Sequence, residues 1–162
     1  MPDIQERHKK LAFYGVPSTG TAGYTLTRMR YFTQLTLNKN PIEHNVKYVD
    51  EATQRNHVAG YDTSISYGFD KYTDDLVLSD IINITDKELT GAAASRFIMI
   101  VDTATDKATL RKYSVIPGSE GDDANVYTFS GTFKAAGELT VGTAVISDAN
   151  AGLTATFTPD ET

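Results

Sequence analysis

From Asn125 to Ala135 the residues alternate without a break. Tyr127, Phe129, Gly131 and Phe133 fall on one side, and Val126, Thr128, Ser130, Thr132 and Lys134 on the other. A period of two puts successive side chains on opposite faces of an extended chain, so this segment reads as a half-buried strand. Leu139, Val141, Thr143 and Val145 repeat the period, as do Leu153, Ala155 and Phe157 against Thr154, Thr156 and Thr158. The final third therefore predicts three antiparallel strands.

The same reasoning extends upstream. Arg96 to Asp102 (RFIMIVD) is apolar on both faces, which predicts a strand covered on both sides, and Thr103 to Lys107 turns it into a partner over Ala108 to Ile116 that Pro117 ends. Tyr61, Ile65, Tyr67 and Phe69 alternate with Asp62, Ser64, Ser66 and Gly68, and their counterpart is Arg28 to Leu37, where Met29, Tyr31, Leu35 and Leu37 share a face. Phe97, Tyr127, Phe129, Phe133, Val141 and Phe157 are the expected core. One segment breaks the pattern. Thr73 as cap, Asp74 and Asp75 in a first turn and a helical spacing of Leu76, Val77, Asp80 and Ile81 predict a helix over 74–83 that packs on the sheet. The fold class is mainly β, an antiparallel sandwich or barrel with one flanking helix, and the 162 residues suit a single domain, 1–162.

Charge narrows function further. The net charge is −6, and the segment 118–162 holds seven acids against the single base Lys134, leaving the rest balanced. No excess of cations is available to grip a phosphate backbone. The absence of cysteine excludes disulfides, thiol nucleophiles and thiolate metal sites and agrees with a reducing cytoplasm. The charged start MPDIQERHKK lacks the apolar stretch of a signal peptide, and no later run approaches a membrane span, so a soluble chain made in the cytoplasm is expected.

Motifs for chemistry are lacking. GVPSTGTA (Gly15 to Ala22) has phosphate-loop glycine spacing, but Thr21 stands where that loop requires Lys, and it reads as a turn. His8, His44 and His57 have no ligand spacing, and the Asp102/Asp106 and Asp122/Asp123 turns are too sparse for a calcium loop. The sequon Asn83-Ile84-Thr85 matters only in a secreted protein. No catalytic, cofactor or metal residue is assigned, and no enzyme is expected.

The most informative feature is the 23-residue stretch Asn38 to Gly60, far longer than a usual hairpin connection and balanced at three acids and three bases. Tyr48, Val49 and Val58 persist in it although it offers little core. It reads as an assembly arm that becomes ordered against another chain, with Pro41, Glu43, His44, Tyr48, Val49, Asp50, Glu51, Arg55 and Val58 as its contact residues. The alternative is a mobile surface loop.

Taken in order, KNPIEHNVKYVDEATQRNHVAGYDTSISYGFD (Lys39 to Asp70), ITDKELTG and SEGDDANVYTFSGTFKAAGELTVGTA (Ser119 to Ala144) resemble the tail tube proteins, or major tail proteins, of tailed bacteriophages and phage-tail-like particles. The resemblance runs from about Leu11 to Phe157. It implies a structural subunit that forms hexameric rings stacked into a hollow tube, with sheets of six neighbours joined into an inner barrel and a long hairpin reaching the next ring. It implies a virion tail assembled in the bacterial cytoplasm. Tape measure, tail terminator and distal tail proteins would be its partners, with double-stranded DNA passing the lumen without specific binding and no membrane involved. The strands flanking the arm become candidates for the inner wall, with Arg30, Gln34 and Thr36 on one and Asp62, Ser64 and Ser66 on the other facing the lumen, and Arg30 pairing with Asp62. The residues also fit the tube of a headless bacteriocin-like particle. A free-standing β-sandwich binding module, monomeric with a concave aromatic patch, is the competing reading.

Overall fold

The computed structural model describes residues 4–17, 24–72, 74–121, 124–146 and 154–160. Their order is β1 (Lys10–Pro17), β2 (Tyr24–Arg28), β3 (Phe32–Asn38), β4 (Pro41–Val46), β5 (Arg55–Tyr61), β6 (Ser64–Asp70), α1 (Leu76–Asp86), β7 (Ser95–Asp102), β8 (Lys107–Glu120), β9 (Thr128–Ala135), β10 (Thr140–Ile146) and β11 (Thr154–Pro159). The chain is mainly β, as the alternation predicts. Nine strands form one sheet in the order β10-β11-β2-β1-β7-β8-β9-β6-β3, and β4 and β5 form a separate two-stranded sheet.

β8 organises the large sheet. It is 14 residues long, and β7 lies along one edge from Ser114 to Lys107. Two strands share its other edge. β10 pairs with its first part, Lys107 to Leu110, and β9 with its second, Tyr113 to Glu120. The β10–β8 pairing closes β10, β11, β2, β1, β7 and the first part of β8 into a six-stranded barrel. The second part of β8 continues past the barrel as the first strand of an open wall, β8-β9-β6-β3.

Each part has its own core. Inside the barrel, Phe13, Met99, Val101, Ala108 and Ala144 are buried, with Leu26, Ile146 and Phe157 packed against them. On the other side of β7 and across the inner face of the wall, Tyr14, Ile98, Tyr113, Ile65, Tyr67, Phe69, Phe129 and Phe133 meet Val77, Leu78, Ile81 and Ile84 of α1. RFIMIVD is thus covered on both sides as predicted, Ile98 toward the helix and Met99 and Val101 into the barrel. The wall aromatics stack across strands, Tyr67 on Phe133 at 4.5 Å and Phe69 on Phe129 at 5.4 Å between ring centres. Gly131 makes this possible, because a Cβ there would lie 2.6 Å from both the Tyr67 hydroxyl and the Ile116 carbonyl.

α1 is anchored by charge as well as by its stripe. Tyr14 donates to Asp80 at 2.5 Å, and Arg96, 8% exposed, donates to the same carboxylate at 2.8 Å. The helix differs from the prediction of 74–83. It starts at Leu76 because Asp75 is the cap, its carboxylate accepting from the Leu78 amide, and Asp74 precedes it in a left-handed conformation. Thr73 lies outside the described residues.

Other expectations are corrected. Arg28 to Leu37 is two strands with a crossing between, and Tyr31 at φ 69° is exposed instead of joining Met29 in the core. Tyr61 belongs to β5, not to the strand of Tyr67. Pro117 does not end β8; the strand passes it through a bulge to Glu120. Val141 (49% exposed) and Tyr127 (50%) are not core. β10 turns Gly142 and Ala144 inward instead of Val141 and Val145, a one-residue inversion of face. Tyr127 lies just before β9 and meets Phe129 edge-on at 5.3 Å. Phe97 and Phe157 are half-buried, and Leu153 is outside the described residues. β1 and β2 have no counterpart among the predicted strands apart from Arg28, and of the GVPSTGTA turn only Gly15 to Pro17, in β1, is described. The sequon lies inside α1, where Ile84 is buried.

Phe129 and Phe133 are both buried, Phe133 completely. Truncating Phe133 to Ala should lower unfolding free energy by about 3–5 kcal/mol in a urea titration, and a loss under about 1 kcal/mol would contradict the packing. A second expectation concerns pH. Burial, with Asp80 adding to it, raises Tyr14; burial pushes Tyr67 up to about 12; and Tyr113 is also raised by burial. The folded state therefore keeps these phenols neutral where the unfolded chain ionises them, near pH 10. Their contribution is intact below that pH, and denaturation midpoints should fall as pH rises from about 10 toward 12.

Candidate functional site

The wall has two unlike faces because its strands alternate. The inner face is the aromatic layer under α1. The outer face is built largely of small groups, Gln34, Thr36 and Asn38 on β3, Ser64, Ser66 and Gly68 on β6, Thr128, Ser130 and Thr132 on β9, and Ser119 on β8, with the exposed Ile116 of β8 opposite Thr132 as its large apolar member. The groups are matched across strands, with Thr36 opposite Ser66 and Ser66 opposite Thr132. Asn38 donates to Ser66 at 3.3 Å, and the Ser119 and Ser130 hydroxyls lie 2.8 Å apart. Charge stands only at the ends of these rows, Lys134 opposite Ser64 at one end and Asp70 opposite Thr128 at the other.

This wall ends in two free edges. No described strand pairs with the outer edge of β3, and Val115 to Glu120 of β8 meet β9 on one side and no described strand on the other, since β7 begins at Ser95, opposite Ser114. Pro117 is tolerated there because an edge strand with a bulge needs no amide from it. Arg7 blunts the other edge by donating to the Leu35 carbonyl at 3.1 Å.

The predicted arm springs from the Asn38 end of this wall. It is a hairpin and not an irregular loop: Pro41 to Val46 pairs with Arg55 to Tyr61, with a bulge at the Ile42/Glu43 step. Asn40 fixes its root, its side chain donating to the Asp62 carbonyl and to Ser64, both at 3.1 Å. Its tip is stapled by Arg55, which donates to Glu51 at 2.6 and 2.9 Å and lies 5.7 Å over the Tyr48 ring. His44 and His57 face each other across the two strands. Ile42, Tyr48, Val49 and Val58 are exposed, as are Pro41, Glu43 and Asp50. Among the described residues the hairpin shares no ladder with the large sheet, and most of its side chains are exposed.

The candidate lumen residues are only partly brought together. Gln34, Thr36 and Ser66 lie on the polar face as expected. Ser64 belongs to the same row but is 7% exposed, covered by Asn40. Asp62 is exposed in the connection between β5 and β6, outside the wall. Arg30 does not reach it; its guanidinium pairs with Asp75 at 3.1 Å, beside the helix cap. The face also takes in Ser119 and Thr128, Ser130 and Thr132, the last three being the polar side of the best-patterned run in the chain.

Among the described residues no group of three or more His, Asp or Glu side chains is placed to hold a metal, and no helix is long and apolar enough to cross a membrane. No protein-family model matches the chain, and no curated protein matches it.

Proposed function

We propose that this chain is the structural subunit of a tail tube, polymerising as stacked hexameric rings into a hollow conduit for DNA. One observation carries the reading: a four-stranded wall with an outer face that is mostly hydroxyl and amide, charged only at its ends, and a free strand edge on each side. The strands alternate in direction, so the outer edge of β3 is antiparallel to β8 of an identical neighbour placed beside it. Copies can therefore join edge to edge in one continuous antiparallel sheet, a head-to-tail contact that repeats until the ring closes. Closure removes both edges, which in a free subunit are an aggregation hazard.

The number six comes from the family resemblance. Four strands from each of six copies, spaced ~4.8 Å apart, give a circumference of roughly 115 Å and a diameter of about 37 Å before tilt, wide enough for a duplex. The aromatic face must point to the subunit's own core, which leaves the Ser, Thr and Gln face for the channel. Between its Lys134 and Asp70 ends, such a wall offers a moving polyanion no cation to stick to. The hairpin, projecting from one end of the wall with Tyr48 and Val49 uncovered, is suited to bridge to the next ring along the tube.

Electron microscopy of the purified chain at rising concentration tests the reading. Rings or tubes with a central hole are expected. Replacing Ile42 to Ala59 by a short Gly-Ser turn should leave a folded subunit, with stability within about 1 kcal/mol, that no longer stacks. A parent chain that stays monomeric at every concentration would overturn the proposal.

A further inference from the structure

We infer that a basic groove beside the free edge of β3 receives the acidic end of β8 from a neighbouring copy, so that charge selects the ring contact. The inference rests on the ring reading above and names the side chains that make its joint.

The groove, about 740 Å³, runs along β3 and is lined by Arg7, Lys10, Arg28 and Arg30 with no carboxylate among its lining residues. Four cations together are unexpected in a chain of net charge −6. They come from separate positions, gathered because β1 pairs with β2 and β2 leads into β3. Only Arg30 of the four has a carboxylate partner among the described residues, Asp75. Arg7 donates to backbone carbonyls of Lys10 and Leu35, so its charge is not neutralised.

The opposite edge ends in the opposite charge: the exposed Glu120 closes β8 and is the one charged residue of its free part, Val115 to Glu120. The levels agree as well. Glu120 is opposite Phe129, Phe129 opposite Phe69, and Phe69 opposite Phe32, so Glu120 and Phe32 lie on one rung across the wall. Joined without stagger, Glu120 of one copy comes level with Phe32 of the next, just past Arg28 and Arg30. A stagger of two residues keeps it within the groove, whose lining continues to Thr36. A strand is a better occupant than a nucleic acid, because the groove contains a sheet edge whose unpaired amides and carbonyls a strand satisfies and a duplex does not. Like charges placed at this joint would reject a copy arriving in the wrong orientation.

The test is a charge swap read by the critical concentration for ring formation of the full chain, with thermal melting as the folding control. Glu120→Arg should raise it at least about tenfold and Glu120→Gln by less, added salt should weaken the parent, and the double variant Arg28→Glu/Glu120→Arg should return toward the parent value. If Glu120→Arg does not fold, Glu120→Gln and Arg28→Glu with the salt series carry the same comparison. Folded Glu120 variants that assemble at the parental concentration overturn the inference and leave the ring reading standing, whereas a parent that never forms rings removes that reading itself. A duplex oligonucleotide that binds the free subunit, and loses binding in Arg28→Glu while assembly is unchanged, would assign the groove to nucleic acid and overturn the inference.

Discussion

Two strands compete for one edge of β8, and the architecture follows from how they divide it. β10 takes the first residues and β9 the rest, so a single 14-residue strand belongs to both a closed barrel and an open wall. Had β9 taken the whole edge, β10 would have no partner to close the barrel. Had β10 taken it, the wall would have no first strand. The split also sets the cores. β7 is buried on both faces, whereas β8 turns Ala108 and Leu110 into the barrel in its first part and Tyr113 and Val115 toward the helix further on, so the demand for residue types changes along the same strand.

This division leaves the subunit with unsatisfied surfaces on the wall and on the hairpin that springs from it. The wall's aromatic face is consumed by α1, held by its apolar stripe and by the Asp80 contacts to Tyr14 and Arg96. What remains outward is a polar face, two edges and a hairpin at one end. A monomeric protein that presented such edges would be expected to hide them; here Arg7 covers one carbonyl and a proline bulge interrupts the other edge, and both defences are slight. Edges defended this lightly are what the proposed joining of copies would need.

The strands that alternate strictly, β6, β9 and β11, are legible in the sequence because their two faces meet different surroundings. β10 alternates as well, and its face is read inverted: Gly142 and Ala144 face the crowded barrel interior, where Gly142 admits the β11 backbone, while the larger Val141 and Val145 turn outward. Size, not hydrophobicity, decides there. β1 escapes notice because it is buried on both faces, Phe13 into the barrel and Tyr14 under the helix, and so shows no alternation. The arm is recognisable from its length and composition, its hairpin form less so, since Asn40 and a bulge shift the period at its root. The basic groove has no local signature at all. Its cations are collected by pairing between distant strands, which only the fold reveals.

The proposed ring requires the two edges of the wall to meet in the assembled state. Amide hydrogen exchange on β3 and on the Val115 to Glu120 part of β8, measured in the free subunit and in assembled rings, addresses this directly. Outward-pointing amides on both edges should exchange freely in the subunit and become strongly protected in the rings, while the interior ladders of β6 and β9 change little. Edge amides that exchange equally fast in both states would show that the wall is not a continuous sheet and would contradict the proposed ring.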